Sequence, residues 1–215
     1  MKRLSRFLLT LLIAIVAPAT ALAQAAVEPV RPDDRTLGSA TAPVTLTVYL
    51  STTCSHCADW HTNDFPAIKA RWVDTGKVRV VFRDLPTPPQ QVAIAGAVMA
   101  RCAPEEKYDV VLDTLFRGQG QLHSHDGPPA QETVIRWLAA GGAAAGLTRE
   151  RMNACFSDEA SFIDIENRAQ QSNADGVNST PSFLIDGVRV PDEAVMHSRG
   201  VAAFEPLIQP LLDGR

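Results

Sequence analysis

The sequence has 215 residues, of which 46% are hydrophobic, and it carries 24 acidic against 20 basic side chains. This length accommodates one good-sized domain or a small domain with an insertion, whereas two full domains would be tight. A net charge of −4 with 20% charged residues argues against a largely disordered chain and against a nucleic-acid-binding protein.

Residues 1–23 have the three parts of a secretory signal peptide. The first six residues carry three positive charges, residues 7–17 form an apolar stretch, and Ala21-Leu22-Ala23 offers small residues for cleavage after Ala23. The apolar stretch is too short to span a bilayer core, which needs about 20 residues. We therefore expect a protein exported to the periplasm, where disulfide bonds persist.

The next residues predict a strand–helix–strand unit. Residues 24–42 are rich in Pro, Ala and Asp and predict an extended lead-in. Apolar and polar residues then alternate over 44–50, which is typical of a strand. Large apolar residues at helical intervals over 57–72 predict a helix that Pro66 kinks, and the β-branched run 78–82 predicts a second strand. Such a unit is expected to be parallel and right-handed.

A helical block and a second strand region follow. Residues 87–174 contain several helical patterns and no strand pattern. Residues 182–185 and 188–190 flank Asp186-Gly187 and predict a β-hairpin, and a terminal helix is expected before the end of the chain. Without the helical block, this is the element order of a thioredoxin core.

The tetrapeptide Cys54-Ser55-His56-Cys57 lies where the first predicted strand ends and the first helix begins. Two cysteines at this spacing can form a disulfide across one helical turn, and the free N–H groups of a helix N-terminus favour a thiolate there. Cys54 is therefore the predicted nucleophile, with a lowered pKa, and Cys57 the more buried resolving thiol. His56 can stabilise the thiolate by charge or by a hydrogen bond.

Three other uses of the cysteine pair are conceivable. A zinc site would need a second cysteine pair or paired histidines. A c-type haem would need a histidine where Ala58 stands. A structural bridge would gain little from closing so short a loop. The redox interpretation is favoured, and we predict no metal or cofactor.

The sequence resembles the DsbA-like thiol–disulfide oxidoreductases, which are exported proteins with a thioredoxin fold and a helical insertion. The resemblance covers about residues 42–212. It rests on the Cys-Ser-His-Cys motif and on three further segments, residues 74–79, 82–86 and 176–183. It implies an α/β fold, thioredoxin-like in residues 43–86 and 175–215 and interrupted by an all-helical insertion over 87–174.

The resemblance also implies that the bond before Pro181 is cis and that this loop pairs with an extended substrate peptide. Proline removes a donor and fixes φ, which leaves Thr180 to offer strand-like hydrogen bonds. The chain departs from the best-known members at Ser55, where they carry proline, and at Val48, where many carry a buried acid. Thr180 is shared with isomerase-like and reductase-like relatives.

The remaining cysteines, Cys102 and Cys155, lie within the helical block. An even number of cysteines in an exported protein favours two bridges. We interpret this pair as a structural disulfide that connects helices of the insertion, and a free-thiol or redox role is the alternative. Some relatives have such a second bridge.

Our functional hypothesis is a periplasmic oxidoreductase that introduces disulfide bonds into exported proteins through Cys54 and Cys57. The family implies two kinds of partner: reduced, unfolded or folding exported proteins, and a quinone-linked membrane oxidase similar to DsbB, or a membrane reductant. The alternatives are a disulfide isomerase or reductase on the same fold and, from another class, a periplasmic copper chaperone. No nucleic-acid partner is expected.

Overall fold

The computed structural model describes residues 30–123, 127–196 and 198–214. The predicted signal peptide, residues 1–23, lies outside these residues. The described part contains one five-stranded sheet with the order β1-β3-β2-β4-β5. Its strands are β1 (Arg35–Leu37), β2 (Val44–Leu50), β3 (Val78–Asp84), β4 (Ser182–Ile185) and β5 (Val188–Arg189).

Nine α-helices are described, some of them extended by π or 3₁₀ turns. The first four are α1 (Ser55–Asp59), α2 (Phe65–Ile68), α3 (Gln90–Cys102) and α4 (Tyr108–Gly118). The others are α5 (Gln131–Ala144), α6 (Arg149–Ser157), α7 (Glu159–Ala174), α8 (Asp192–Met196) and α9 (Gly200–Asp213). Helices α3 to α7 therefore lie in the region predicted to be a helical insertion.

The predicted strand–helix–strand unit is present. Strands β2 and β3 pair in parallel along their whole length, from Val44 opposite Val78 to Leu50 opposite Asp84. Strand β2 is buried on both faces, because its alternate apolar residues enter the main core while Tyr49 enters a smaller cluster that includes Ala169 of α7. The end of β2 is thus held rigidly where the active-site motif begins.

The helix predicted after β2 is present, and its helical geometry changes next to Pro66. Helical backbone runs from Ser55 to Val73, with π-helical turns at Trp60–Asp64 and Lys69–Val73. Pro66 occupies the first turn of α2, directly after the first π turn. Because a proline inside a helix cannot donate to the preceding turn, one bond of the helical ladder is missing at Pro66, and the preceding π turn is the local departure from α-helical geometry.

The extended lead-in contains an edge strand that the sequence pattern did not reveal. Strand β1 pairs antiparallel with β3, with Thr36 opposite Val81. Next to it, the buried guanidinium of Arg83 donates to both carboxylate oxygens of Asp34, at 3.2 and 3.0 Å. A two-point ion pair of this kind fixes the lead-in against the sheet.

The second strand region contains the predicted hairpin and terminal helix. Strands β4 and β5 are joined by Asp186 and Gly187, both with positive φ (48° and 80°), as a type I′ turn requires. Strand β4 pairs antiparallel with β2, which places the segment before it beside the start of α1. Helix α9 continues through both Pro206 and Pro210.

Candidate active site

Cys54 is the N-cap residue of α1. Its φ and ψ of −80° and 119° are extended, and its carbonyl oxygen accepts the N–H of Ala58 at 3.1 Å as the helix begins. This arrangement leaves the first N–H groups of the helix close to the cap side chain. Cys54 is partly buried and Cys57, one turn further on, is fully buried, and the two thiols are not bonded to each other in this structure.

The pKa of Cys54 is lowered from 9.0 to about 5. The largest cause is a hydrogen bond from the Cys57 thiol, and partial burial opposes it. The Thr180 side chain and the backbone N–H groups of Cys57 and His56 lower this pKa further. These donors favour the thiolate, so that Cys54 is anionic at neutral pH.

Cys57 has the opposite property. Burial raises the pKa of its thiol well above 9.0, and the neighbouring Cys54 sulfur raises it further. A buried thiol that stays protonated can donate to an adjacent thiolate, and it is reached by substrates only through that neighbour. The pair therefore consists of one accessible anion and one protected thiol.

His56 lies between the two cysteines, but its imidazole is exposed. The contribution of this residue to the lowered pKa of Cys54 comes through its backbone N–H. The histidine side chain instead lines a groove beside the site. The structure thus places His56 next to the reactive sulfur and connects them through the main chain.

The loop before β4 packs directly against Cys54. The peptide bond between Thr180 and Pro181 is cis, and the Cys54 sulfur lies 3.3 Å from the Thr180 carbonyl oxygen, to which it can donate only while it is protonated. Because β4 pairs with β2, this contact between residues distant in sequence follows from the sheet topology. The site residues chosen from the sequence, Cys54, Cys57, Thr180 and Pro181, therefore lie together.

A groove of about 410 Å³ extends from this point along α1 and α9. Apolar side chains line its floor, among them those of Trp60, Phe183 and Phe204. Arg199 lies on its rim and donates to the carboxylates of Asp59 and Asp64, at 2.8 and 2.9 Å. The groove thus begins at His56, Thr180 and Pro181, the residues next to Cys54.

Polar contacts with Thr87 fix the loop between β2 and α1, and the sequence pattern did not suggest these contacts. The Ser51 hydroxyl accepts the Thr87 N–H at 3.0 Å, and the Thr53 hydroxyl donates to the Thr87 carbonyl at 2.9 Å. Thr87 is followed by a second cis bond, between Pro88 and Pro89, which the sequence analysis did not predict.

Gln119 is a further residue near the site that the sequence analysis did not single out. It lies in a 3₁₀ turn, Gln119–Leu122, that follows α4, and its amide donates to the carbonyl oxygens of Thr52 and Cys54. Its position could have been found from the helical period, because it continues the apolar face of α4 that includes Leu112 and Leu115. A polar residue on such a face needs a buried partner.

Cys102 and Cys155 form a disulfide in the structure, between the end of α3 and helix α6. Their Cα atoms are 6.0 Å apart, and the bridge spans 53 positions of sequence. Both residues are nearly buried, within a small apolar cluster that also contains Ile165 of α7. The bridge connects helices of the insertion and involves neither active-site cysteine.

Two kinds of feature, a metal-binding cluster and a membrane-spanning helix, are absent from residues 30–123, 127–196 and 198–214. No group of three or more His, Cys, Asp or Glu side chains in these ranges is arranged to hold a metal ion. None of the helices described in them is both long enough and apolar enough to cross a membrane.

Comparison with protein families identifies the fold and the family. The model of a thioredoxin family, Thioredoxin_4, matches residues 31–204. A crystal structure of Wolbachia pipientis alpha-DsbA1 superposes with a TM-score of 0.71 at 26% identity, covering 86% of this chain and 93% of that one. BdbD from Bacillus subtilis superposes with a TM-score of 0.70 at 15% identity, covering 85% and 94% of the two chains, which shows the fold alone. The chain belongs to this thioredoxin family and is DsbA-like.

Curated relatives extend the comparison. Proteins named "Putative protein-disulfide oxidoreductase" from Rickettsia typhi and Rickettsia bellii are 27% and 28% identical over 164 residues. The match covers 76% of this chain but only 58% and 61% of those relatives. The chain therefore spans about three fifths of the length of the curated relatives it matches.

Proposed function

We propose that this protein is a thiol–disulfide oxidoreductase that introduces disulfide bonds into other proteins through Cys54 and Cys57. The observation that carries the proposal is the lowering of the pKa of Cys54 to about 5 beside a buried Cys57 thiol whose pKa is raised. Shifts of the pKa values of two neighbouring thiols in opposite directions are typical of redox-active cysteine pairs. The names of the Rickettsia relatives and the DsbA-like structure support the same reaction class.

The reaction begins with the Cys54–Cys57 disulfide. A substrate thiolate attacks the Cys54 sulfur, a mixed disulfide forms, and Cys57 leaves and takes up a proton. A second substrate thiolate then attacks the substrate sulfur of the mixed disulfide, which releases Cys54 as a thiolate. Two electrons pass from the substrate to the enzyme, and the substrate gains one disulfide.

The stabilised Cys54 thiolate favours oxidation of the substrate. A leaving group of low pKa departs readily, and stabilisation of the reduced enzyme makes its disulfide more oxidising. The groove beside Cys54 would hold the substrate peptide, with the Thr180 backbone offering strand-like hydrogen bonds. Reduced, unfolded or folding proteins are therefore the substrates we infer.

Thr180 favours a second candidate function, a disulfide isomerase or reductase on the same fold. The reduction potential distinguishes an oxidase from an isomerase or reductase. Strong oxidases have potentials of about −120 mV, whereas isomerases and reductases have potentials of about −200 mV or lower. We expect a value near the oxidase end, since Cys54 has so low a pKa. A potential at or below the isomerase value would replace the oxidase assignment with this alternative.

The direct test is the oxidation of a reduced, unfolded protein in the presence of a small-molecule oxidant. The wild-type protein should catalyse disulfide formation, Cys54→Ser should abolish it, and a Cys102→Ala/Cys155→Ala double variant should retain it. Retained activity in Cys54→Ser would contradict the proposal. Stoichiometric copper binding by the reduced protein, without any turnover of thiols, would support the copper-chaperone alternative instead.

Export to the periplasm and reoxidation by a quinone-linked membrane oxidase complete the proposal. Both are supported by the signal-peptide pattern in residues 1–23 and by the resemblance to DsbA-like proteins. Cell fractionation should recover the protein in the periplasm with its N-terminus at residue 24. Thiol trapping there should find Cys54 and Cys57 oxidised at steady state, and mainly reduced thiols would point to a membrane reductant as the partner.

A further inference from the structure

We infer that Gln119 is a positioning residue that keeps the Cys54 loop in the conformation that stabilises the Cys54 thiolate. The inference rests on the proposed redox function of Cys54. The Gln119 side chain is only 3% exposed, and its Nε2 donates to the carbonyl oxygens of Thr52 at 2.9 Å and of Cys54 at 3.0 Å. One amide group thus bridges the two ends of the segment that carries the nucleophile.

A carboxamide suits this task because its NH₂ group has two N–H donors and carries no charge. The Cys54 carbonyl oxygen already accepts the N–H of Ala58, and the bond from Gln119 is a second, independent constraint on the same peptide group. Buried carbonyl groups that lose a partner are costly, so the loop would move to find another one. Gln119 therefore restricts rotation about the backbone bonds of Cys54.

The orientation of this peptide group matters for the sulfur. The N–H groups of His56 and Cys57 lower the pKa of Cys54 only while Cys54 remains an extended N-cap residue. Gln119 makes no contact with the Cys54 sulfur among its described hydrogen bonds, so its effect passes through the main chain. It is a positioning residue and not a catalytic one.

The same contacts connect the helical insertion to the chemistry. Gln119 belongs to the turn after α4, and the Thr52 hydroxyl donates to the carbonyl oxygen of Ala93 in α3, at 3.0 Å. A Cβ atom added at Gly96 of α3 would lie 2.3 Å from the Thr52 hydroxyl oxygen, so helix and loop are in close contact. Helix α3 and the turn after α4, both in the insertion, thus contact the loop that carries Cys54. The strand before this loop belongs to the thioredoxin core.

The test replaces Gln119 with methionine, which has a similar length and no N–H donor. In Gln119→Met we expect the pKa of Cys54, followed by the ultraviolet absorbance of the thiolate, to rise by about one unit or more. The equilibrium constant with glutathione should then shift about tenfold towards the oxidised protein, which lowers the reduction potential by about 30 mV. Gln121→Met is the matched control, because Gln121 is an exposed glutamine in the same turn.

Unfolding of the two redox forms separates positioning from simple structural support. At neutral pH, Gln119→Met should lower the melting temperature of the reduced protein more than that of the oxidised protein, which has no thiolate to stabilise. The inference would be overturned if the melting temperature of Gln119→Met fell equally in the reduced and oxidised forms while its Cys54 pKa and its glutathione equilibrium stayed at the wild-type values.

A second variant keeps the test decisive if Gln119→Met does not fold. Gln119→Asn retains a buried amide but is one methylene too short to reach both carbonyl oxygens, so the pKa of Cys54 should again rise. A folded Gln119→Asn protein with the wild-type pKa would refute the role of Gln119. If the wild-type protein itself showed an ordinary cysteine pKa, the proposed redox function would fail instead.

Discussion

The Cys57 thiol donates a hydrogen bond to the Cys54 sulfur, and this bond is the largest of the interactions that lower the pKa of Cys54. The donor stays protonated because burial raises its own pKa. The resolving cysteine therefore has two roles, since it activates its neighbour before it takes part in any bond exchange. The two roles can be separated by substitution.

Replacement of Cys57 by alanine removes the donor, and the pKa of Cys54 should rise. A hydrogen bond to a charged group contributes about 1.5–3 kcal/mol, which corresponds to a rise of about one to two units. Absorbance titration of the thiolate measures it. Cys57→Ser is the matched control, because its hydroxyl can still donate and should keep the pKa closer to the wild-type value. Equal pKa values in the alanine variant and the wild type would rule out this role for Cys57.

The reduction potential should depend on pH in a way that reports the Cys54 thiolate. Below about pH 5, reduction takes up two protons with two electrons, and the potential falls by about 59 mV per pH unit. Above that pH, Cys54 stays anionic and only Cys57 takes up a proton, so the slope should halve to about 30 mV per unit. Equilibration with a thiol couple of known potential at several pH values measures the slope. An unbroken steep slope up to about pH 8 would mean an unperturbed thiol.

The stability of the reduced protein should change over the same interval. Because the pKa of Cys54 is lower in the folded than in the unfolded chain, ionisation stabilises the folded protein at high pH. This contribution decreases as the pH falls from about 9 and is lost below about 5, whereas Cys57 stays neutral in both states below about pH 8. The oxidised protein is the control because neither thiol titrates in it. The reduced-minus-oxidised difference in unfolding free energy should therefore decrease on acidification, and a constant difference would contradict the pKa.

Contact between α3 and the active-site loop gives a prediction about a glycine. A Cβ atom at position 96 would lie 2.3 Å from the Thr52 hydroxyl oxygen and 2.8 Å from Cη2 of the buried Trp137. Gly96→Ala should therefore lower the free energy of unfolding, measured with urea, by about 1–3 kcal/mol. Gly120→Ala is the control, because nothing lies within 4 Å of the added atom there. If both variants were as stable as the wild type, the packing of the loop against α3 would be less close than described.

Local signals allowed most of the fold and the centre of the site to be predicted. The alternation in β2, the Asp186-Gly187 turn and the cysteine spacing each act within a few residues, so they can be read from a short window. The resemblance to DsbA-like proteins added the cis bond before Pro181 and the helical nature of the insertion. Cysteine chemistry at a helix N-terminus supplied the direction of the Cys54 pKa shift.

Features that depend on distant parts of the chain could not be predicted in this way. Gln119 lies between two glycines, and although the helical period of α4 could have indicated its burial, it could not have indicated its partners Thr52 and Cys54, which are more than 60 positions away. Strand β1 is short and gains its order from pairing with β3. A pattern within one segment does not specify which surface of another segment will cover it.

The disulfide between Cys102 and Cys155 should stabilise the protein without tuning its chemistry. In the chain-entropy model, a bridge across 53 positions contributes about 4 kcal/mol, so the Cys102→Ala/Cys155→Ala double variant should lose about that much in the free energy of unfolding. The pKa of Cys54 should stay near 5, because the groups that lower it directly lie in α1 and at Thr180. In excess reductant the wild-type bridge is open as well, so the two proteins should become nearly equal in stability. A shifted pKa in the double variant would show instead that the bridge influences the active site through α3, the helix that contacts Thr52.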